Sequence, residues 1–202
     1  MTPLFDRSAL PPCAFEFGVV SDTHYMLDPG DRPLEFASRR RQSGRAQAAL
    51  RRLAACDPAF VLHLGDLVQS FPGSADFDRA VDEAQAQLRA CRIGDLHVVA
   101  GNHDVGDKPD PTMPAPAVDA VSLARHEARF GRSWYSAEYT VPGQSAPLVV
   151  IVVNSQILNS GLAAEVRQAR WLEAELPNRK SQGARLVLAL HLPPFLHEAD
   201  EP

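Results

Sequence analysis

Cysteine is scarce in this chain of 202 residues. Cys13, Cys56 and Cys91 are the only three, they lie far apart in the sequence, and none belongs to a Cys-x-x-Cys pair. A domain held together by disulfides, or a zinc site built from thiolates, needs more cysteines at closer spacing. Neither is therefore expected.

Long apolar runs are absent as well. The longest spans residues 148–153, whereas a membrane-spanning helix needs about 20 consecutive apolar residues. The N-terminus contains Asp6 and the pair Pro11-Pro12 and lacks the apolar core of a secretory signal peptide. The sequence therefore predicts a cytoplasmic protein that does not associate with membranes.

Positive charge is not in excess either. The chain has 20 Lys and Arg against 25 Asp and Glu, a net charge of −5 at pH 7. Proteins that bind nucleic acid irrespective of sequence present a basic face, so no nucleic-acid partner is expected. The charge balance does not exclude an enzyme that acts on phosphate groups, because metal ions can hold a phosphate group in place of lysines. With 45% hydrophobic and 22% charged residues, the composition is that of a globular chain, and the length suits one domain.

Short apolar runs and amphipathic stretches alternate along the sequence. Five runs are nearly continuous in apolar residues, as expected for strands covered on both faces in a largely parallel sheet: residues 15–20, 60–64, 96–100, 148–153 and 186–190. A further strand is predicted at 134–141, and helical periodicity is found at 46–53, 77–91 and 162–176, where Pro177 should end the helix. This order predicts an α/β domain over residues 15–202, preceded by an N-terminal segment 1–14.

Polar side chains follow four of the predicted strands, at the point where each strand ends. They are Asp22 and His24, Asp66, the run Asn102-His103-Asp104, and His191. Because ligands bind at the carboxyl ends of parallel strands, these side chains are expected to converge on one site. Carboxylate, carboxamide and imidazole groups suit Mn²⁺, Fe or Zn²⁺ rather than a soft thiolate metal. Gly65 and Gly101 beside them allow a close approach of the backbone.

Taken in order, these motifs resemble the signature of the calcineurin-like metallophosphoesterases, from about residue 15 to the end of the sequence. They are Asp22-x-His24, Gly65-Asp66, Gly101-Asn102-His103-Asp104 and His191. Residues 101–107, 154–156 and 191–196 are similar to the branch of the calcineurin-like phosphoesterase domain-containing protein 1. Residues 21–24 are equally similar to the cyclic-nucleotide phosphodiesterase branch. The resemblance implies a four-layer α/β/β/α sandwich.

The resemblance also implies two metal ions, of Mn, Fe or Zn. Asp22 and His24 would hold the first ion, and Asn102 and His191 would hold the second. Asp66 would bridge both ions, since a carboxylate has two oxygens and a full negative charge. A hydroxide between the ions would attack phosphorus in line.

A proton donor is implied next to the metals. His103 would not be a ligand but would protonate the leaving oxygen, with Asp104 fixing the tautomer of the imidazole and raising its basicity. Asn102 would contact the substrate as well as a metal. Asn154 follows a predicted strand and is either a further substrate contact or a turn cap.

One family motif is missing. The family pattern ends in Gly-His-x-His, whose two histidines complete one metal each, and no Gly-His pair occurs in this sequence. Each ion would lack one imidazole, and the last strands of the sheet would be absent. We expect the chain to be a truncated fragment of a longer enzyme.

The leading functional prediction is a dimetal phosphoesterase that acts on a phosphomonoester, with phosphoproteins among the candidate substrates. Two alternatives remain open. One is a cyclic-nucleotide phosphodiesterase that uses the same metals and His103, and the other is a non-catalytic scaffold of the same fold. The proline-containing loops 26–43 and 105–121 are either functional loops that choose the substrate or surface insertions without a role.

The remaining histidines and a basic run are assigned no catalytic role. His63 and His97 lie within predicted strands and are expected to be core histidines with hydrogen-bond partners. His126 is predicted on a helix surface and His197 in the C-terminal tail. The three arginines at 39–41 are expected to form a solvated helix start, with phosphate binding as the alternative.

Overall fold

The computed structural model describes Cys13 and residues 15–109, 112–113 and 115–193. The predicted N-terminal segment 1–14, apart from Cys13, and His197 lie outside the described residues. The described strands are β1 (Gly18–Val20), β2 (Val61–His63), β3 (Leu96–Val98), β4 (Tyr135–Tyr139), β5 (Leu148–Val152) and β6 (Arg185–Ala189). The described α-helices are α1 (Gln42–Ala54), α2 (Phe77–Ala90), α3 (Asn102–Val105), α4 (Ala120–Phe130) and α5 (Ala163–Ser181), with 3-10 helices at Ala37–Arg41 and Ser155–Ile157.

The described strands form two three-stranded sheets. In the first sheet β1, β2 and β3 are parallel, with Leu62 of the central strand paired to Val19 on one side and His97 on the other. In the second sheet β5 is central, antiparallel to β4 and parallel to β6. All six predicted strands are present, although the first begins at Gly18 rather than at residue 15.

The two sheets pack face to face, and helices cover their outer faces. Between the sheets lies a buried cluster that includes Leu62 of β2 and Val150 of β5. Helices α1 and α2 bury a second cluster against the first sheet. Helix α5 packs Trp171 and Leu172 against Ile151 of the second sheet. These layers are the predicted α/β/β/α sandwich.

None of the described helices combines the length and apolar character needed to cross a bilayer.

The end of α5 differs from the prediction. The sequence predicts a stop at Pro177, but the helix continues to Ser181 with the proline inside it. Arg179 donates to Glu175 one turn earlier at 2.7 Å, and the Ser181 hydroxyl donates to the Asn178 carbonyl oxygen at 2.7 Å. These contacts stabilise the last turn against the loss of one backbone donor at the proline.

The buried face of α5 also differs from the predicted apolar stripe. Val166 belongs to that stripe and is 51% exposed, whereas Ala164 and Gln168 are buried. The Gln168 side chain accepts from the Asn154 backbone N–H at 2.9 Å and donates to the Asn154 carbonyl oxygen at 3.1 Å. A polar residue therefore faces inward, because it satisfies backbone groups at the end of β5.

Candidate metal centre

The predicted site residues other than Asn154 meet at the carboxyl ends of four strands. These strands are the three of the first sheet and β6 of the second, so the site lies where the two sheets adjoin. The structure brings the side chains together in two overlapping groups, each with ligand atoms within 4.8 Å of one another. One group is Asp22, Asp66 and His191, and the other is His24, Asp66 and His103.

Asp66 lies at the centre of the site and is only 4% exposed. Its Oδ2 is 3.5 Å from Nε2 of His24, and its Oδ1 is 3.5 Å from Nε2 of His191. Oδ1 of Asp22 lies 3.6 Å from the same nitrogen of His24. The two oxygens of Asp66 thus face two different histidines.

His191 and Asn102 form the side of the site next to β6. The Nδ1–H of His191 donates to the Leu64 carbonyl oxygen at 2.8 Å, which leaves Nε2 turned into the site. The amide end of Asn102 lies 3.2 Å from this nitrogen and 3.2 and 3.3 Å from the oxygens of Asp66. A hydrogen bond from the other ring nitrogen to a backbone carbonyl is the usual support of a metal-bound histidine.

His103 is held by Gln69 and Phe71. Its Nδ1–H donates to the Gln69 carbonyl oxygen at 2.8 Å, and its Nε2 is 4.0 Å from Oδ2 of Asp66. The imidazole packs on the Phe71 ring with centroids 4.1 Å apart and meets the His24 ring edge-on at 4.5 Å. Burial lowers the pKa of His103, and the negative charge of Asp66 opposes that shift.

The backbone is left-handed at three of the site residues. Asp22, His24 and Asp66 have φ values of 53°, 42° and 55°, a conformation that costs a residue with a side chain about 1–2 kcal/mol. Backbone hydrogen bonds hold it, from Asp22 N–H to the Gly65 carbonyl oxygen at 3.1 Å and from His24 N–H to the Asp66 carbonyl oxygen at 2.9 Å. The loops after β1 and β2 are therefore tied to each other.

A family model described as calcineurin-like phosphoesterase matches residues 15–201, which include these strands and every residue of the site. The chain belongs to the calcineurin-like phosphoesterase family. The resemblance inferred from the ordered motifs is confirmed.

Curated relatives of this calcineurin-like phosphoesterase support the inferred branch. The serine/threonine-protein phosphatase CPPED1 of Danio rerio is 32% identical over 152 residues, and its Homo sapiens counterpart is 28% identical over 151. Each match covers 71% of this chain and 43% of the relative, so the chain spans less than half the length of these relatives.

A solved structure is similar in fold. It is a dimetal phosphatase from Danio rerio, which superposes with a TM-score of 0.56 at 18% sequence identity. The superposition covers 89% of this chain and 70% of that chain. The layered sandwich of this calcineurin-like phosphoesterase is thus also seen in an experimental structure.

The donor atoms of this family member fit metal ions. Two ligands bound to one ion at about 2.1 Å lie about 3.0–3.4 Å apart. The nitrogen–oxygen pairs His24–Asp66, His24–Asp22 and His191–Asp66 are 3.5, 3.6 and 3.5 Å apart. Carboxylate oxygens and imidazole nitrogens at this spacing suit Mn²⁺, Fe or Zn²⁺.

The structure gives Asp104 partners other than His103. Its carboxylate accepts from three backbone N–H groups, those of Asp66 at 2.8 Å, Leu67 at 3.1 Å and Gly101 at 2.9 Å. Burial raises the pKa of Asp104 to about 7, and the hydrogen bond from Gly101 opposes that shift. The expectation that Asp104 fixes the tautomer of His103 is not met, because its two oxygens are engaged by the loops after β2 and β3.

The structure places Asn154 outside the cluster, with no exposed surface. Its Oδ1 accepts from the Gln156 backbone N–H at 3.0 Å and so caps the 3-10 helix Ser155–Ile157. Of the two roles predicted for Asn154, the turn cap describes its geometry, since a fully buried side chain does not reach a substrate.

His63 and His97 are buried core residues, as predicted. Nε2 of His63 is hydrogen-bonded to the Thr23 hydroxyl at 2.8 Å. The His97 ring lies between the hydroxyls of Tyr135 and Tyr139, at 2.8 and 2.5 Å, and so links β3 to β4 across the two sheets.

The prediction that His126 lies on a helix surface is wrong. It is 4% exposed and packs against Phe130 with ring centroids 5.0 Å apart. One turn further along α4, Arg129 pairs with Asp78 and Asp82 of α2 at 3.1 and 3.2 Å. Because α2 covers this face of α4, His126 is enclosed, and burial lowers its pKa to about 4.

Three residues beside the site are not identifiable from the sequence. Gln42 Nε2 donates to the His24 carbonyl oxygen at 2.9 Å and to Oε1 of Gln69 at 2.8 Å. Gln69 in turn holds His103 through its backbone carbonyl, and Phe71 covers the imidazole ring. Every residue has a backbone carbonyl, so a contact made by this group does not depend on the residue type. The sequence therefore gives no signal that identifies Gln69.

Gly101 leaves no room for a side chain. Its φ of −104° is ordinary, but an added Cβ would overlap the carboxylate and backbone nitrogen of Asp66. Gly101→Ala is therefore expected to displace Asp66 and weaken metal binding by about 10–100-fold, the range seen when a supporting contact of a ligand is lost. Titration calorimetry with Mn²⁺ measures this effect.

Gly94→Ala is the matched control, because nothing lies within 4 Å of an added Cβ there. Equal metal affinity in the two variants would show that the close approach of Gly101 to Asp66 does not matter for the centre.

Proposed function

We propose that the protein containing this chain is a metal-dependent phosphoesterase that hydrolyses phosphate monoesters, with phosphorylated serine and threonine of proteins as substrates. The observation that carries the proposal is the pair of Asp66 oxygens, each 3.5 Å from a different histidine nitrogen. One buried carboxylate with a histidine on either side suits two cations held side by side. The curated relatives are named serine/threonine-protein phosphatases, which supports the substrate class.

Two metal ions would be held around Asp66. Asp22 and His24 would bind one ion together with one Asp66 oxygen, and Asn102 and His191 would bind the other ion with the second oxygen. When bound, ions of Mn, Fe or Zn supply a nucleophile at neutral pH and stabilise the negative charge that develops on the phosphate oxygens.

The proton for the leaving oxygen would come from His103. Because the Gln69 carbonyl oxygen holds Nδ1–H, a proton on Nε2 is directed at the cluster, where the phosphate would lie. Phe71 covers the ring and limits the access of water to it. Asn102, whose side chain lies close to both oxygens of Asp66, would help to orient the phosphate.

Hydrolysis of p-nitrophenyl phosphate tests the proposal. The protein is stripped with a chelator and then titrated with Mn²⁺, Fe²⁺ or Zn²⁺, and we expect turnover to rise until about two equivalents are bound. A preference for bis(p-nitrophenyl) phosphate would favour the cyclic-nucleotide phosphodiesterase instead. Metal binding without hydrolysis of either ester would identify a scaffold and contradict the proposal.

A further inference from the structure

The second half of the connection from β1 to α1, together with most of α1, is strongly basic in a protein that is acidic overall. Residues 31–52 contain seven arginines and two acidic residues, a local net charge of +5, whereas the whole chain has −5. The fold does not require this charge, since α1 packs through Ala46 and Leu50. An asymmetry of this kind indicates a surface that attracts anions.

Two of these arginines share one exposed face of α1, and a third, Arg41, ends the preceding 3-10 helix and is the N-cap residue of α1. With this N-cap residue counted in the helical repeat of 100° per residue, Arg41, Arg45 and Arg52 lie within about 40° of one another around the helix axis, over about 16 Å of its length. The buried Ala46 and Leu50 lie on the opposite side. We call Arg41, Arg45 and Arg52 the arginine stripe. Among the described residues, none of its guanidinium groups has a hydrogen-bond or acidic partner.

The arginines of the connection that precede the stripe have structural partners. Arg40 donates to the carbonyl oxygens of Gly30 and Arg32 at 2.5 and 2.6 Å. Arg39 pairs with Glu35 at 2.8 Å. These contacts hold the connection against the start of α1, so its arginines are used within the fold while the stripe is available to a partner.

The stripe begins beside the metal centre. Gln42 follows Arg41 directly and donates to the His24 carbonyl oxygen at 2.9 Å and to Gln69 Oε1 at 2.8 Å. An extended peptide advances about 3.3 Å per residue, so the stripe matches about five residues of extended chain. A peptide whose phosphorylated residue lies in the metal centre therefore has neighbouring residues within reach of the stripe.

We propose that the arginine stripe binds acidic residues that flank the phosphorylated residue of a protein substrate. The proposal rests on the proposed function of the metal centre and adds a sequence preference to it. Guanidinium groups pair with carboxylates through two parallel hydrogen bonds. Three such groups in a line fit an extended acidic segment better than they fit one small phosphate ion.

Two phosphoserine peptides test this inference, one with Asp and Glu beside the phosphoserine and one with Asn and Gln at the same positions. For the unmodified protein we expect kcat/KM to be about tenfold higher for the acidic peptide at low salt, and the advantage to shrink as salt is added. The double variant Arg45→Glu/Arg52→Glu should lose this advantage through a higher KM. Its turnover of p-nitrophenyl phosphate should be unchanged.

The double variant Arg167→Glu/Arg170→Glu carries the same change of charge on exposed positions of α5 and should keep the preference. Fluorescence anisotropy of the two peptides gives the same comparison without turnover.

Equal affinity for both peptides would overturn the inference, and so would an equal loss of the preference for the acidic peptide in the α5 variant. Binding of a single-stranded RNA that the stripe variant abolishes, with no preference between the peptides, would also overturn it. Absence of p-nitrophenyl phosphate hydrolysis in every form would contradict the proposed function instead, and the anisotropy result would still decide the role of the stripe.

Discussion

His103→Ala is expected to keep the metal content unchanged and to slow hydrolysis of an alkyl phosphate by about 10²–10⁴-fold, the usual contribution of a positioned general acid. The loss falls on the step in which the leaving oxygen takes a proton, so its size must depend on the leaving group. p-Nitrophenyl phosphate should lose much less, because its phenolate departs without protonation. Turnover of both substrates, with metal content measured alongside, provides the test.

The geometry makes this test decisive, because His103 Nε2 lies 4.0 Å from Oδ2 of Asp66 and could serve as a ligand at that position. Loss of a metal from His103→Ala, or an equal loss on both substrates, would make His103 a ligand or a structural residue. Asp104→Asn is the comparison variant. Its carboxylate holds the backbone of Asp66 and Gly101, so we expect lower stability and equal losses on both substrates.

Asp66→Asn is expected to abolish binding of both metal ions, or nearly so, together with activity. The amide keeps the volume of the carboxylate but removes the charge that lets one side chain hold two cations. An amide oxygen can still accept from the His103 backbone N–H, as Oδ1 of Asp66 does at 2.9 Å, so unfolding should stay cooperative. Elemental analysis and thermal unfolding of the variant measure the two effects separately.

Asp107→Asn is the matched control for this change. Asp107 is also a buried aspartate, 5% exposed, and belongs to neither group of candidate ligands. It should therefore keep its metals. If Asp66→Asn retained two equivalents of metal and normal activity, the bridging role of Asp66 would be wrong.

The order of the strands and the meeting of the site residues could be predicted because both follow from local pattern. An apolar run without alternation marks a strand covered on both faces. A polar residue directly after such a run lies at the carboxyl edge of the sheet. His191 illustrates this, since it lies far from Asp66 in the sequence but 3.5 Å away in the fold.

The contacts that support the site could not be predicted in this way. Asp104 and His103 are adjacent in sequence, but a carboxylate is satisfied by whichever donors the tertiary fold presents, and here these are backbone N–H groups of two loops. The enclosure of His126 depends on how α2 lies across α4, and the inward position of Gln168 depends on backbone groups at the end of β5. The helical periodicity of the sequence predicts neither the enclosure of His126 nor the inward position of Gln168.

The left-handed backbone at Asp22, His24 and Asp66 has a consequence for the evolution and redesign of this fold. Glycine adopts this conformation readily, so a search for more stable variants would favour glycine at these positions and would remove a candidate ligand with each replacement. Thermal stability and the proposed catalysis therefore place opposite requirements on the same few residues, a conflict that recurs where activity needs a strained site. Stabilising substitutions in this protein belong on the outer helices, away from the arginine stripe of α1.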